Sequence, residues 1–547
     1  MRPHRWPALL VIPAVLVGGF VLERGRDETA PVAEGRDLTR SLEEQGLMPV
    51  AAPASALGAT WYCAGGTVGG EDDDEHTVIV ANPSDRDLGG TITIYGDADS
   101  AGPVTPEPTV STTTTTTTDG EDGGEPTTTT SSTTTTTEPP TTTTTTAPIP
   151  IQSVPYEVAA GSSTEVDLSG VDGVEPGYTA ALVEVDGGEA VVEHRVSTAD
   201  GTDVSPCSST ASPTWYFAAG ATTQDATETL VFFNPFPDDA VVDVTFRTDQ
   251  DLRTPEAFEG LVIPGQSVVA RDVGEVVTRR EHVSASVVAR SGRLVVDRIQ
   301  SYDGSDGPEG LTVALGAPVP AETWFFPEGT VGEGVDERIV VFNPTDSRAE
   351  VDLEITVDDP DLTGLIEPFE LTVPPEGYET ILLNEEARIT SARGGEGALA
   401  HASVVRSVNG VPVVAERQSI GGSDSQFPGV DLVLGAPLLA DEFVLAAGAG
   451  QDETEAVVIF NPVSAEDATV TVSALEGGVS TPVDGLEGLT VPAGERLSVV
   501  LDDVPAGTPL VVSSDQPVVV ERRIVFADDV SSAIGVPVAG SLTEPPT

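Results

Sequence analysis

The chain contains six Asn residues, and four of them, Asn82, Asn234, Asn343 and Asn461, are followed directly by Pro. Each ends a short apolar run: TVIVANP, TLVFFNP, RIVVFNP or AVVIFNP. Each run ends 18 to 21 residues after Trp61, Trp215, Trp324 or Phe443, which open four corresponding segments. One module is therefore used four times. Pro cannot donate to a ladder and drives its predecessor out of the helical region, so it stops a strand. The Asn side chain then bonds the backbone of the turn it opens, which assigns these four Asn residues a structural role.

Within a module, short alternating or apolar runs are split by turn residues, which predicts strands. In the second copy they are TWYFA, TLVFF, VVDVTFR, GLVIPG, SVVARDV, SASVVAR, RLVVDRI and LTVALGA. That density predicts a β-sandwich. A propeller blade repeats at about 40–50 residues, so by length these are domains and not blades. The fold class expected is all-β: four tandem Ig-like β-sandwich modules after an N-terminal transmembrane helix. The boundaries are 59–212, 213–321, 322–440 and 441–543, preceded by a stalk at 23–58, with the opening Trp or Phe of each copy in its core.

Asn82 and Asn234 are 152 residues apart, against 109 and 118 for the later intervals. The excess is a Thr-rich segment, 97–150, inserted between two strands of the first module. It has almost no apolar surface to bury and is expected to be disordered. Its composition suits an O-glycosylated stalk or a plain spacer equally.

Arg supplies all 25 positive charges, against 89 acidic residues, for a net charge of −64. Nucleic acid and anionic surfaces need a basic footprint, so neither is an expected partner of the modules. At the N-terminus, Arg2 and Arg5 precede an uncharged stretch from Trp6 to Leu22. It is read as a membrane anchor within 1–22, with a cleaved signal sequence as the alternative. The positive-inside rule then places the remainder outside the membrane. Cys63 and Cys207 are the only two Cys. Both fall at the ends of the first module, Cys207 where later copies have their closing LGAP, and a disulfide between them is expected if those ends meet.

Recognisable chemistry is sparse. His4, His76, His194, His282 and His401 lie at unrelated positions of the modules, and no zinc spacing, GxSxG elbow or P-loop occurs. No catalytic, cofactor-binding or metal-ligating residue is assigned. Two polar features recur. Acidic loops precede the Asn-Pro strands, EDDDE at 71–75, Asp225 and Glu228, Asp336 and Glu337, and Asp452, Glu453 and Glu455. They read as solvated loops, with calcium binding as the alternative. The penultimate strands carry Glu193-His194-Arg195, Asp297-Arg298, Glu416-Arg417 and Glu521-Arg522. Adjacent strand residues point to opposite faces, so each pair must find cross-strand partners.

The ordered combination WYFAAG, LVFFNP, VPPG-type turns and SSDQPVVVERRIVF resembles the repeats of an uncharacterised actinobacterial family of membrane-anchored extracytoplasmic proteins, from Thr60 to Phe526. That resemblance implies export and repeat architecture, and it transfers no site residue. The reading is a non-enzymatic cell-envelope protein, anchored by one helix, acting as an extracytoplasmic scaffold, spacer or interaction rod. The alternatives are a carbohydrate- or cell-wall-binding, adhesin-like protein and, less favoured, an envelope hydrolase. Partners would be the membrane through the N-terminal helix and an envelope protein or polysaccharide.

Overall fold

In the computed structural model the described residues are 46–70, 74–98, 112–116, 130–134, 151–305, 307–358, 366–392, 397–463, 465–502 and 504–545. The anchor expected over Trp6–Leu22 lies outside them. Among the described residues no helix is long and apolar enough to cross a membrane.

The chain is all-β, built from antiparallel sheets. The second unit shows how sequence becomes structure. One sheet runs Thr214–Phe217, Val283–Ser291, Ala240–Thr248 and Leu252–Arg253, with Leu261–Ile263 also on the third strand. The other runs Ser267–Asp272, Ala226–Asn234, Val295–Asp303 and Glu309–Leu315. Strict alternation along Ala240–Thr248 turns Ala240, Val242, Val244, Phe246 and Thr248 inward, as a half-buried strand requires. All eight expected runs form strands.

Among the strands that recur in every unit are an opening, an Asn-Pro, a penultimate and a closing strand. The opening strands are Ala59–Val68, Thr214–Phe217, Thr323–Phe326 and Leu439–Leu445; the Asn-Pro strands are Glu75–Asn82, Ala226–Asn234, Val335–Asn343 and Thr454–Phe460. The penultimate strands are Val191–Thr198, Val295–Asp303, Val414–Gly421 and, in the fourth unit, the latter part of Leu510–Val525. The closing strands are Gly201–Pro206, Glu309–Leu315, Gly429–Leu434 and Val530–Ile534. In the fourth unit the single strand Leu510–Val525 takes two places: its first part pairs with Ala468–Glu476 and its last part with Thr454–Phe460.

The four closing strands pack against one another in the cyclic order first, second, third, fourth, first. The units therefore surround a common axis and close into a ring. This corrects the rod: the first and fourth units touch instead of standing at opposite ends. By length the units are domains, but by placement they stand like propeller blades. The physical reason is that the penultimate and Asn-Pro strands are buried on both faces, one face toward their own unit and the other toward a neighbour. Hydrophobic clusters accordingly cross the joints, with Tyr62 and Tyr95 of the first unit against Phe233 of the second at 6.4 and 5.1 Å between ring centroids.

The end of the expected stalk also belongs to the ring. Ala51 pairs in parallel with Val538, its N–H donating to the Pro537 carbonyl at 2.9 Å while the Ala539 N–H donates to the Ala51 carbonyl at 3.0 Å. Residues from the two ends of the chain thus meet where the fourth unit joins the first. Within the Thr-rich insertion, Thr112–Thr116 pairs with Thr130–Thr134, where the composition predicted no regular structure; β-branched Thr favours strands. Residues 99–111, 117–129 and 135–150 lie outside the described set.

Candidate functional site

The residues singled out by repetition fall into two groups. The first holds each unit together. Trp61, Trp215, Trp324 and Phe443 are at most 1% exposed, and the indole N–H groups of Trp215 and Trp324 donate to the carbonyls of Leu294 and Val413 at 2.9 and 2.8 Å. Asn82, Asn234, Asn343 and Asn461 are buried, and each side-chain oxygen accepts the N–H two residues on, from Ser84, Phe236, Thr345 and Val463. Each amide also donates across the fold, to Val158, Ile263, Val373 and Val491 carbonyls. The Asn thus closes its own turn and ties it to a second strand. Cys63 and Cys207 form a disulfide, with Cα atoms 4.6 Å apart. The ends of the first unit do meet, because the Tyr62 and Ser208 backbones pair there.

The second group joins units to one another, and here the acid–Arg element finds its partners. Arg298 of the second unit meets Glu416 of the third at 2.8 Å, Arg417 of the third meets Glu521 of the fourth at 2.8 Å, and Arg522 of the fourth meets Glu193 of the first at 2.7 Å. All six side chains are at most 1% exposed. The remaining joint replaces Arg by His: His194 lies 3.8 Å from Asp297. Each acid also accepts an N–H from a neighbour at 2.7–2.9 Å, from the turn after its opening strand (Ala219 to Glu416, Glu328 to Glu521 and Ala447 to Glu193) or, in the first unit, from within that strand (Gly65 to Asp297). In the first, second and fourth units the small residues Gly65, Ala219 and Ala447 let that backbone approach, whereas the third unit makes the same contact through Glu328. Each Arg donates to the carbonyl of the same turn, at Ala219, Glu328 and Ala447.

Burial and neighbouring charge together set the protonation at these joints. Two carboxylates, Glu521 and Asp431, outweigh burial and hold Arg417 firmly protonated. At the exceptional joint burial pushes His194 down to about 4 and Asp297 up to about 7. The His194–Asp297 contact is therefore a polar one rather than a full ion pair, and His194 Nδ1 instead hydrogen-bonds His76 Nε2 at 3.1 Å. His76 in turn meets Thr179 Oγ1 at 2.9 Å.

The acidic loops are only partly solvated. His76, Glu228, Glu337 and Glu455 occupy one repeated position, six residues before the Asn, and all four are buried. Burial pushes Glu228 up to about 8 and Glu455 up to about 7, with Arg298 and Arg522 pulling the other way. The correction has a simple cause: these residues already belong to the inward face of the Asn-Pro strand. Likewise His76 and His194, read as scattered, are neighbours. Among the described residues no group of three His, Cys, Asp or Glu is placed to hold a metal ion.

The axis itself was not foreseen. Asp203, Thr312, Asp431 and Ser531 stand at one repeated position of the closing strands, and each accepts an N–H from the next unit: Val313 at 2.5 Å, Leu432 at 3.3 Å, Ser532 at 3.1 Å and Val204 at 3.1 Å. The signal was available in the register of each strand to its closing Gly or Cys, although the residue types differ. One end of the axis is an apolar mouth lined by Met48, Pro206, Leu315, Leu434 and Ile534. Raised carboxylates often mark catalytic sites. Here Asp297, Glu228 and Glu455 are instead enclosed beside the residues that fasten unit to unit.

No curated protein matches the chain. Among solved structures it is similar to Thermotoga maritima 1070, at 13% identity and a TM-score of 0.17, over 19% of this chain and 92% of that one. It is also similar to the BSP domain of a biofilm associated protein, at 9% identity and a TM-score of 0.13, over 91% and 99% of the two chains. Likenesses at such TM-scores carry no argument. Residues 299–536, which span the third and fourth units and the closing strand of the second, match a family of unknown function, DUF5719.

Proposed function

We propose that this chain is a non-enzymatic, membrane-anchored cell-envelope scaffold whose Ig-like β-sandwich modules form a platform outside the membrane. The observation that carries this reading is the use made of the recurring charged residues. Arg298, Arg417 and Arg522, with Glu416, Glu521 and Glu193, fasten module to module. A ring so fastened keeps its outer loops in fixed relation, which suits the presentation of surfaces better than the spacing role of a rod. The Cys63–Cys207 disulfide suits an oxidising compartment, and the Trp6–Leu22 stretch supplies the anchor. The resemblance to actinobacterial membrane-anchored repeat proteins agrees with both.

The test combines location and capture. Fractionated host cells should hold the intact chain in the membrane, with the modules open to external protease once any wall is removed. The exported region, immobilised, should retain a discrete envelope protein in a saturable manner. Retention of polysaccharide alone would replace the scaffold by a wall-binding protein, and an intact chain confined to the cytosol would overturn the reading.

A further inference from the structure

Counting back six residues from Cys207, Gly316, Gly435 and Gly535 gives Gly201, Gly310, Gly429 and Asp529. Three units have Gly at this position and the fourth has Asp. The Asp529 carboxylate is 2% exposed. It accepts an N–H from every unit: from Thr202 at 3.1 Å, Leu311 at 2.9 Å, Val430 at 3.3 Å and its own neighbour Val530 at 2.9 Å. A Cβ on Gly201 or Gly429 would fall 2.0 Å from a carboxylate oxygen, and one on Gly310 would fall 2.8 Å away. The three glycines therefore make the room that the one aspartate fills.

From this we infer that the axis carries an anion-binding nest, made of one backbone N–H from each of the four units, and that Asp529 is its built-in carboxylate ligand. Converging backbone N–H groups form concave sites for anions. Their bonds to a charged acceptor are stronger than bonds between neutral groups. The ligand is supplied by the chain for an electrostatic reason: the turns leading into the closing strands carry exposed Asp303, Glu309, Asp424 and Asp528, in a chain of net charge −64. A free anion approaches that end against a negative field, whereas a tethered carboxylate is always present. One side chain thereby latches four units, independently of the scaffold reading.

The latch predicts chemical rescue. In the full-length chain, Asp529→Gly gives the fourth unit the residue of the other three and empties the nest of its carboxylate. Its Tm should fall by several degrees, and sodium formate should restore at least half of that loss in a saturable manner. Sodium gluconate at equal ionic strength is too bulky for the nest and should not do so. The parent chain should respond equally to the two salts, and so should Asp529→Asn, which fills the nest with a neutral amide. A parent-like Tm for Asp529→Gly, or identical responses of that variant to formate and gluconate, would overturn the inference. If Asp529→Gly does not fold in plain buffer, refolding yield is read instead: recovery in formate and not in gluconate supports the nest, and recovery in neither overturns it.

Discussion

Replacing Arg298 by Met tests whether the joints are energetic or merely geometric. The guanidinium is fully buried, 2.8 Å from Glu416, and also donates to the Ala219 carbonyl. Met keeps much of the volume and removes the charge. Glu416 is then left buried beside Glu228, with only the Ala219 N–H of its two described donors. Breaking a buried pair from one side costs about 3–5 kcal/mol, because an uncompensated charge remains. The orphaned Ala219 carbonyl contributes within that range, since an unsatisfied buried group costs about 1–3 kcal/mol. Glu416→Gln should cost less than Arg298→Met, because it retains an acceptor for Ala219. In a double-mutant cycle the two losses should fall short of additivity by about 1–3 kcal/mol. Arg290, half exposed beside Asp243 at 2.6 Å, is the internal control, and Arg290→Ala should leave stability nearly unchanged. Urea unfolding followed by fluorescence and circular dichroism reads all four variants. An Arg298→Met loss no larger than the Arg290→Ala loss, or strict additivity in the cycle, would refute the reasoning.

Trp215→Ala should destabilise by about 3–5 kcal/mol, the range for truncating a fully buried aromatic, and a loss below about 1 kcal/mol in urea unfolding would contradict its core position. Cleaving the Cys63–Cys207 bond should cost about 2–4 kcal/mol, read as a lower Tm with reductant, and alkylation of both thiols in the native, unreduced protein would show that the bond does not form. Acid should stabilise the ring. Burial raises Glu228 to about 8 and Asp297 to about 7, so their contribution is full below the unfolded carboxylate range and is lost as pH rises through 7–8. His194, lowered to about 4, and His282, lowered to about 3, oppose this only below the unfolded His value of about 6.5. The Tm should therefore climb as the pH is lowered from about 9 to about 6.5, and a Tm that is flat or falls over that window would contradict the burial of these groups.

Local features were legible because local chemistry causes them. Asn-Pro marks the strand end at Asn82, Asn234, Asn343 and Asn461 because Pro lacks an N–H and Asn can cap a turn. Alternation betrayed Ala240–Thr248 for the same kind of reason. The ring was not legible. Its determinants are pairs such as Arg417 with Glu521, whose partners lie a whole module apart, and nothing in one strand indicates which other strand it faces. The acid–Arg pattern was visible, and the opposite-face rule required partners elsewhere, but those partners proved to lie in neighbouring units. Glu228 was misread because a charge at the start of a strand resembles a charge in the loop before it. Asp529 escaped notice because an Asp aligned with three Gly residues looks like a loss of pattern, whereas it fills the space that they leave.

Ring closure is tested most directly by a distance between the first and fourth units. Val479 of the fourth unit touches the first, its backbone N only 2.4 Å from where a Cβ on Gly161 would stand. Spin labels placed through Ala160→Cys and Val479→Cys, with the native disulfide intact, report that separation by pulsed electron resonance. The ring predicts a narrow distribution at short range, set by the label arms. In a rod, two intervening units, each about as long as a nine-residue strand of about 30 Å, would put the labels about 60 Å or more apart, and that result would contradict the account.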